Sequence, residues 1–268
     1  EQTVCGLVRH ARARGAVVQV LVLARRGELA EELAAAGITV AEAHFTRWWR
    51  LGQFAVVARC LREFQPDIVH AHLFAAELVA VAAARLAGYR GRLFISKYEN
   101  GYWMGVRHRL LERLIVVPRA DRVIGDSATL LPLLAQRGFD RERCTVVYPL
   151  VADEFSRVPQ PAADDGFTVL LPARLDAVKG HDTLIAATVL LRAALPRLRV
   201  RFVGDGPLRE TLVSAVAAAG LTECVTFAGM RRDMPEQLRT ASVVVLPSWA
   251  ETTPLALLEA MAAGRVIV

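Results

Sequence analysis

Two glutamates with seven residues between them, Glu251 and Glu259, lie in the segment PSWAETTPLALLEAMAAG, at residues 247–264. We expect a helix here with Thr253 as its N-cap and Pro254 as its first residue. The rest of the segment is apolar on all sides, which indicates a buried helix. Glu259 would then be a carboxylate in apolar surroundings that needs hydrogen-bond donors, such as the two hydroxyls of a ribose. Alternatively, Glu259 faces solvent at the edge of the helix. In both cases Glu251 lies in the loop before the helix.

A second loop with potential chemistry is ARLDAVKGHDT, which contains Arg174 and Lys179 and follows a short apolar run. Two flexible cations at the end of a strand suit a diphosphate, because a guanidinium pairs with oxyanions through two hydrogen bonds and an ammonium acts as a point charge. The alternative is two solvated cations, with His181 or Asp182 capping the next helix.

Backbone groups could complete an anion site. The free N–H groups near Leu255 and Ala256 would lie at a helix N-terminus, where anions bind. The sequence GDGP allows a tight turn at Gly204 and Gly206 that could bring backbone close to a ligand, although turn formation alone also explains it. Because GDGP is not the GxGxxG fingerprint, a nicotinamide cofactor is not supported.

Short β-branched runs alternate with helical segments along the whole chain. Strands that are apolar on both faces and alternate with helices indicate parallel sheets covered on both sides. The strand-like runs are 16–24, 67–71, 92–96, 121–125, 144–148, 167–172, 198–203, 224–228, 242–247 and 265–268. We therefore predict an α/β protein with two tandem Rossmann-like domains, at 1–152 and 167–268, joined by a linker at 153–166.

Composition narrows the possible partners. The net charge of +6 over 268 residues falls within residues 1–160, which carry 22 basic and 16 acidic residues. This excess suggests an acidic partner or only a solvated basic face. No nucleic-acid-binding motif is present, and the apolar runs are shorter than the ~20 residues of a membrane span. Four dispersed cysteines indicate reduced thiols in a cytoplasmic protein.

Several of these segments together resemble a known family. The segments ARLDAVKG, VRFVGDGPLRETL, VTFAGMRRDMPEQL and VVLPSWAETTPLALLEAMAAG resemble the carboxyl-terminal domain of family-4 retaining glycosyltransferases. PDIVHAHLFAAELVAVAAARLAG and ADRVIGDSATLLPLLAQRGFDRERCTVVYPLVADEF are similar to the amino-terminal domain of that family. The resemblance implies the GT-B architecture, in which two Rossmann-like domains face each other across a cleft.

The resemblance implies a nucleotide-diphosphate sugar as donor, carried by UDP, GDP or ADP. The catalytic group would comprise Glu251, which contacts the donor sugar, with Arg174 and Lys179 on the diphosphate. Glu259 would bind the ribose. The other donor-binding residues would be Thr253, Pro254, Leu255, Ala256 and Gly204, with Met230 and Arg231 near the base. Neither a cofactor nor a bound metal is expected.

The sequence also departs from the family pattern. Family members begin with a strand and a Gly-rich loop and end with crossover helices, so we expect the chain to be truncated at both ends. Many members carry a histidine after the strand equivalent to 92–96, where this chain has Tyr98, Glu99 and Asn100. These three residues and His72 are candidates for the acceptor or sugar side, although His72 could equally be a structural histidine.

The expected function is glycosyl transfer to a glycan, lipid-linked or small hydroxyl acceptor with retention of configuration, in glycan, polysaccharide or glycolipid biosynthesis. The alternatives are a GT-B sugar-nucleotide epimerase and a non-catalytic sugar-nucleotide-binding module. We expect a cytoplasmic protein with weak peripheral contact at the inner membrane face. Candidate membrane contacts are Arg9, Arg12 and Arg14 and the segment TRWWR at 46–50, with Trp48 and Trp49.

Overall fold

The computed structural model describes residues 2–45, 51–98, 101, 103–161 and 166–268. The chain forms two compact units, Glu1–Pro149 and Leu150–Val268. Within the described residues, all paired strands are parallel, as the apolar runs predict.

The first unit alternates strands and helices. Its strands are β1 (Gln19–Val22), β2 (Thr39–Glu42), β3 (Ile68–His72), β4 (Arg92–Lys97), β5 (Arg122–Gly125) and β6 (Cys144–Val146). Its α-helices are α1 (Gln2–Ala13), α2 (Glu28–Ala35), α3 (Leu51–Phe64), α4 (Phe74–Ala87), α5 (Val106–Leu111) and α6 (Leu130–Gln136). A π-helical stretch (Glu112–Val116) and a 3-10 turn (Val117–Arg119) continue α5 without a break.

The strands of the first unit form a pair, β1–β2, and a four-stranded sheet in the order β3-β4-β5-β6. Ile95 of β4 and Val123 of β5 are fully buried, and Val116, Leu130 and Leu134 cover them from the helices. The sequence pattern predicts every strand of this unit except β2, which pairs with β1 along its whole length.

The second unit has the same alternation. Its strands are β7 (Phe167–Pro172), β8 (Leu198–Val203), β9 (Val225–Phe227), β10 (Val243–Val244) and β11 (Val266–Ile267). Its α-helices are α7 (His181–Leu191), α8 (Arg209–Ala218), α9 (Met234–Arg239) and α10 (Leu255–Ala262). The sheet order is β11-β10-β7-β8-β9, so the direction in which strands are added reverses between β7 and β10. In open parallel sheets, ligands bind beyond the carboxyl ends of the strands at such a switch point.

Apolar packing fixes both faces of the second sheet. Leu171 and Phe202 are fully buried in a cluster that includes Leu212 and Val216 of α8. On the other face, Phe155 packs with Leu238 and Ala260. Phe155 lies in a 3-10 turn (Asp153–Arg157), and the side chain of Arg265 donates a 2.8 Å hydrogen bond to Gln160. Residues 153–160, which the sequence suggests as linker, are thus held against the second unit by these contacts.

Candidate functional site

Loops that follow four strands of the second sheet are joined to one another at its carboxyl edge. They are residues 173–180 after β7, 204–208 after β8, 228–233 after β9 and 245–254 after β10. The backbone hydrogen bonds that join them run from Leu175 N–H to Asp205 C=O (3.1 Å), from Gly204 N–H to Gly229 C=O (2.8 Å) and from Trp249 N–H to Val178 C=O (2.8 Å). Segments far apart in the sequence are therefore held together where the switch point opens.

Two glycines allow these loops to approach each other closely. Gly180 has a φ of +66°, and a Cβ atom there would lie 2.0 Å from the carbonyl oxygen of Pro247. Gly204 has a φ of +144°, and a Cβ atom there would lie 2.1 Å from the carbonyl oxygen of Ala173. Any other residue would push the loops apart, so the turn at Gly204 serves loop contact as well as chain reversal.

The predicted catalytic residues Lys179 and Glu251 are in direct contact. Lys179 Nζ donates to Glu251 Oε1 at 2.5 Å, and 25% of each side chain remains exposed. This ion pair bridges the loops after β7 and β10 on the two sides of the switch point. Arg174 lies in the same loop as Lys179 and is exposed. The structure therefore brings two cations and one carboxylate to this edge of the sheet.

Helix α10 begins one residue later than the sequence indicates. We expected Thr253 as N-cap and Pro254 as the first helical residue. That expectation is wrong, because Pro254 is itself the N-cap, with an extended ψ of 110° and no side-chain capping bond. The Pro254 carbonyl accepts the first helical hydrogen bonds, from Leu257 and Leu258. Leu255 and Ala256 form the first turn, so their N–H groups have no partner within the helix.

Glu259 lies on α10 and is half-buried. Within the part of the chain that the structure describes, its carboxylate has no hydrogen-bond or ion-pair partner. Burial raises the pKa of Glu259 to about 7, and the nearby charge of Glu154 contributes to the shift. A desolvated carboxylate without donors is the arrangement that we inferred from the apolar sequence around it, and hydroxyl donors from a ligand would stabilise its ionised form.

The residues expected near a base follow β9. Met230 is 74% exposed. Arg231 pairs through two hydrogen bonds with Asp233, at 2.9 and 2.6 Å. Gly204 N–H bonds the carbonyl of Gly229, so this loop adjoins the one after β8. Met230 therefore offers an open apolar surface at this edge, whereas Arg231 already has an anionic partner.

His181 does not cap α7, and neither does Asp182, because the N-cap is Gly180 in the left-handed conformation. His181 is 2% exposed and lies 5.2 Å from the Phe202 ring in an edge-on arrangement. Neither ring nitrogen has a hydrogen-bond partner in the described residues. Burial lowers the pKa of His181, which keeps the ring neutral in the core.

The first unit also carries polar side chains at the carboxyl edge of its sheet. His72 Nδ1 lies 2.7 Å from the Tyr98 hydroxyl, and His70 Nε2 lies 2.8 Å from Ser96 Oγ. Burial, with a smaller contribution from His70, lowers the pKa of His72 to about 3, so its ring is neutral at physiological pH. The structure thus brings the predicted residues His72 and Tyr98 together. Glu99 and Asn100, like the TRWWR segment with Trp48 and Trp49, lie outside the described residues.

Sequence reasoning missed a buried ion cluster next to Tyr98. Lys97 Nζ donates to Glu77 Oε2 at 2.6 Å and to Glu112 Oε1 at 2.7 Å. Arg137 lies 3.6 Å from the same Glu112 oxygen. Glu77 and Glu112 are at most 1% exposed. The only available signal was that Lys97 and Lys179 are the two lysines of the chain.

Residues 2–45, 51–98, 101, 103–161 and 166–268, which the structure describes, contain neither a candidate metal-binding cluster nor a candidate membrane-spanning helix. Within these ranges, no three His, Cys, Asp or Glu side chains are grouped so that they could hold a metal ion. No helix in the same ranges is long and apolar enough to cross a membrane.

Two family models match the chain. "Glycosyltransferase Family 4" matches residues 1–155, and "Glycosyl transferases group 1" matches residues 166–268. A D-inositol 3-phosphate glycosyltransferase of Frankia alni is 31% identical over 75% of this chain and 56% of its own length. The exopolysaccharide phosphotransferase SCO2592 of Streptomyces coelicolor is 38% identical over 37% of this chain and 11% of its own. The chain therefore spans little more than half of the first relative and a small part of the second.

Solved structures agree on the fold. Anabaena Alr3699/HepE in complex with UDP-glucose has a TM-score of 0.83 and 21% identity, covering 99% of this chain and 75% of that one. A second structure of that protein, with UDP, has a TM-score of 0.79 and 22% identity over 99% of this chain and 76% of that one. With this GT-B fold and a family model that matches more than half of its residues, the chain belongs to glycosyltransferase family 4.

Proposed function

We propose that the protein transfers a glycosyl group from a nucleotide-diphosphate sugar to a hydroxyl acceptor, with retention of configuration at the anomeric carbon. The observation that carries the proposal is the convergence of Lys179, Glu251 and the N-terminus of α10 at the switch point of the second sheet. The Anabaena neighbour with bound UDP-glucose supports this donor class. Retention rests on the resemblance to the family.

The charges of the site suit a departing diphosphate. When the bond between the anomeric carbon and the phosphate oxygen breaks, negative charge develops on the diphosphate. That charge would be stabilised, without the help of a metal ion, by Arg174, Lys179 and the free N–H groups at Leu255 and Ala256. Lys179 is paired with Glu251 in the structure, so donor binding would replace that ion pair and leave Glu251 available to the sugar hydroxyls.

Glu259 has the environment expected of a ribose-binding carboxylate. Its burial, with a smaller contribution from the charge of Glu154, raises its pKa to about 7, and it has no partner in the described ranges. Two ribose hydroxyls that donate to the carboxylate would favour its ionised form and fix the nucleoside relative to the diphosphate. Met230 and the loop around Gly204 would then lie on the base side.

Names of relatives suggest a class of acceptor. The Frankia relative is described as acting on D-inositol 3-phosphate and the Streptomyces relative as an exopolysaccharide enzyme. We propose a polyhydroxylated acceptor, in the setting of polysaccharide or glycolipid biosynthesis, at the first unit. His72 and Tyr98 would contribute to the acceptor or sugar side, with Glu99 and Asn100 as further candidates.

A product assay on the full-length protein tests the proposal. A panel of UDP-, GDP- and ADP-sugars is first screened for thermal stabilisation, and the reaction with acceptor is then followed by proton NMR. We expect release of free nucleoside diphosphate and a product whose anomeric coupling matches that of the donor. An altered sugar that stays linked to the nucleotide would instead indicate an epimerase, and binding without turnover would indicate a non-catalytic module. An inverted product would refute retention alone.

Metal independence is tested in the same assay. We propose that turnover survives EDTA, because two cations and a helix N-terminus can stabilise the leaving group. Loss of turnover with EDTA and its rescue by Mg²⁺ or Mn²⁺ would contradict this account of the donor site.

A further inference from the structure

The helical segment 106–119 of the first unit exposes apolar side chains that no core residue covers. Val106 is 83% exposed, Leu110 is 55% exposed and Leu114 is 65% exposed. Their spacing of four residues places them along one side of the helix. Trp103, which is 41% exposed and packs edge-on against Phe74 at 5.9 Å, lies just before the helix begins. A contiguous patch of large apolar groups on a surface marks an interaction site.

The part of this segment that follows α5 is attached to the unit, whereas α5 itself contains no buried residue. Glu112 and Val116 are at most 1% exposed, and Ile115 packs against the core cluster. Glu112 accepts the hydrogen bond from Lys97 and lies within ion-pair distance of Arg137. The buried ion cluster therefore fixes the orientation of the segment, with Val106, Leu110 and Leu114 outward. The segment also contains a π-helical turn at Glu112–Val116, a geometry that is frequent at functional sites.

The charges around the patch are of one sign. The exposed ionised side chains of the segment are Arg107, Arg109, Arg113 and Arg119. Its one acidic residue, Glu112, is buried. Apolar side chains flanked by arginines match an anionic bilayer surface, where the apolar groups enter the acyl boundary and the guanidinium groups reach the headgroup phosphates.

The other basic region considered for membrane contact is partly engaged within the protein. On α1, Arg9 lies 3.5 Å from Glu32, and Arg12 donates to the carbonyl oxygens of Ala36 and Gly37. These arginines hold α1 against the end of α2. Helix α7 also exposes apolar side chains, because Val189 is 49% and Leu190 is 80% exposed. This second apolar patch has fewer basic neighbours along the chain, since only Arg192 follows it directly.

We propose that the segment 103–119 binds the surface of an anionic lipid bilayer, and that Val106, Leu110 and Leu114 insert while the four arginines contact lipid phosphates. The contact is peripheral and reversible. It requires no transfer activity and is therefore independent of the proposed function. It would bring the first unit, where we place the acceptor, to the membrane surface.

Cosedimentation of the full chain with vesicles tests the proposal. We use phosphatidylcholine vesicles with and without phosphatidylglycerol, at low and high salt. The intact protein should sediment with the anionic vesicles at low salt and be released at high salt. Leu110→Gln with Leu114→Gln should lower the partition coefficient about tenfold or more. Arg107→Gln with Arg113→Gln should lower it about fivefold for each arginine.

The control is Val189→Gln with Leu190→Gln, which changes an equally exposed apolar pair on α7 and should leave vesicle binding unchanged. Circular dichroism checks that each variant is folded, and the arginine pair tests the proposal even if the leucine pair unfolds. Failure of the intact protein to bind anionic vesicles, or equal binding by the segment variants, would overturn the proposal. So would a protein dimer in lipid-free ultracentrifugation that Leu110→Gln with Leu114→Gln dissociates, because a second copy would then cover the patch.

Discussion

The polar side chains at the carboxyl edges of the two sheets differ in whether they are paired within the protein. In the first unit these groups pair with each other: His70 with Ser96, His72 with Tyr98, and Lys97 with two buried glutamates. The polar groups of this edge are therefore largely paired within the protein, although one carboxylate oxygen each of Glu77 and Glu112 accepts no hydrogen bond in the described residues. The buried ion cluster contributes to the orientation of the neighbouring helix.

In the second unit the polar groups at the corresponding edge remain open to a partner. Glu259 has no partner among the described residues and a raised pKa, and Arg174 is exposed. The ion pair between Lys179 and Glu251 is partly solvated, so exchanging it for a ligand costs little. Polar residue types alone therefore do not identify a binding edge. A binding edge is better identified by polar side chains that lie beside a helix N-terminus and lack a partner among the described residues.

The largest effect should come from the internally paired edge of the first unit. Lys97→Met leaves Glu77 and Glu112 buried with reduced compensation, and removing one partner of a buried ion pair costs about 3–5 kcal/mol. Urea unfolding followed by circular dichroism measures this loss. The control Arg59→Met removes an exposed ion pair in which Arg59 Nε lies 3.7 Å from Glu63 Oε1. It should lower the free energy of unfolding by less than about 1 kcal/mol. Equal effects of the two variants would show that the cluster does not stabilise the first unit.

A smaller effect, on binding rather than stability, should come from the open edge. Lys179→Ala removes a charge-assisted contact, worth about 1.5–3 kcal/mol, so nucleoside diphosphate should bind roughly ten- to a hundredfold more weakly. The bare nucleoside should lose little. Calorimetric titration of both ligands measures the difference. Arg199→Ala, which changes an exposed cation on β8, is the matched control. An equal loss for both ligands would remove Lys179 from the diphosphate site.

The titration of Glu259 should make nucleotide binding depend on pH. Because the pKa of Glu259 is about 7, its carboxylate is ionised above that pH and would then accept hydrogen bonds from the two ribose hydroxyls. Affinity should fall as the pH drops from 8 to 6, by up to about tenfold. Glu259→Gln should bind more weakly at pH 8 and show a flatter profile. A profile identical to that of the unsubstituted protein would exclude Glu259 from the ribose site.

The same pKa predicts the opposite sign for stability without ligand. A carboxyl group whose pKa is higher in the folded than in the unfolded chain is neutral in both states at low pH and disfavours folding once it ionises. This penalty therefore grows as the pH rises from about 4.5 through about 7. Glu259→Gln should raise the melting temperature at pH 8 and leave it nearly unchanged at pH 4. Destabilisation at pH 8 would mean that the carboxylate makes a favourable contact instead.

The smallest effect should come from Tyr98→Phe. This variant removes the hydroxyl that His72 contacts, which should cost about 1 kcal/mol of folding free energy. Tyr89→Phe is the control, because the Tyr89 hydroxyl contacts the exposed backbone carbonyl of Asp67 and should matter less. Nucleoside diphosphate affinity should be unchanged in both variants. If Tyr98→Phe weakened it substantially, the first edge would share in donor binding.

How much the sequence predicts depends on how far apart the interacting residues lie. The strands β7 to β11 and the helix α10 follow from local periodicity, and the segment 247–264 predicts the apolar surroundings of Glu259. The partners of Lys97 could not be predicted, because Glu77 and Glu112 lie 20 and 15 residues away on other elements. The pairing of Lys179 with Glu251, 72 residues apart, likewise needs the sheet order. Strand β2 was missed because only Val40 of its four residues is buried. Thr39 is exposed, and Ala41 and Glu42 are half-buried.

Hydrogen–deuterium exchange tests most directly the claim that the second edge is the nucleotide site. The full chain is compared with and without saturating UDP, GDP or ADP. At least one nucleotide should slow amide exchange in peptides that cover residues 174–182 and 249–260, and Lys179→Ala should reduce this protection at the same nucleotide concentration. Protection confined to peptides of the first unit, or no protection by any of the three nucleotides, would contradict the claim.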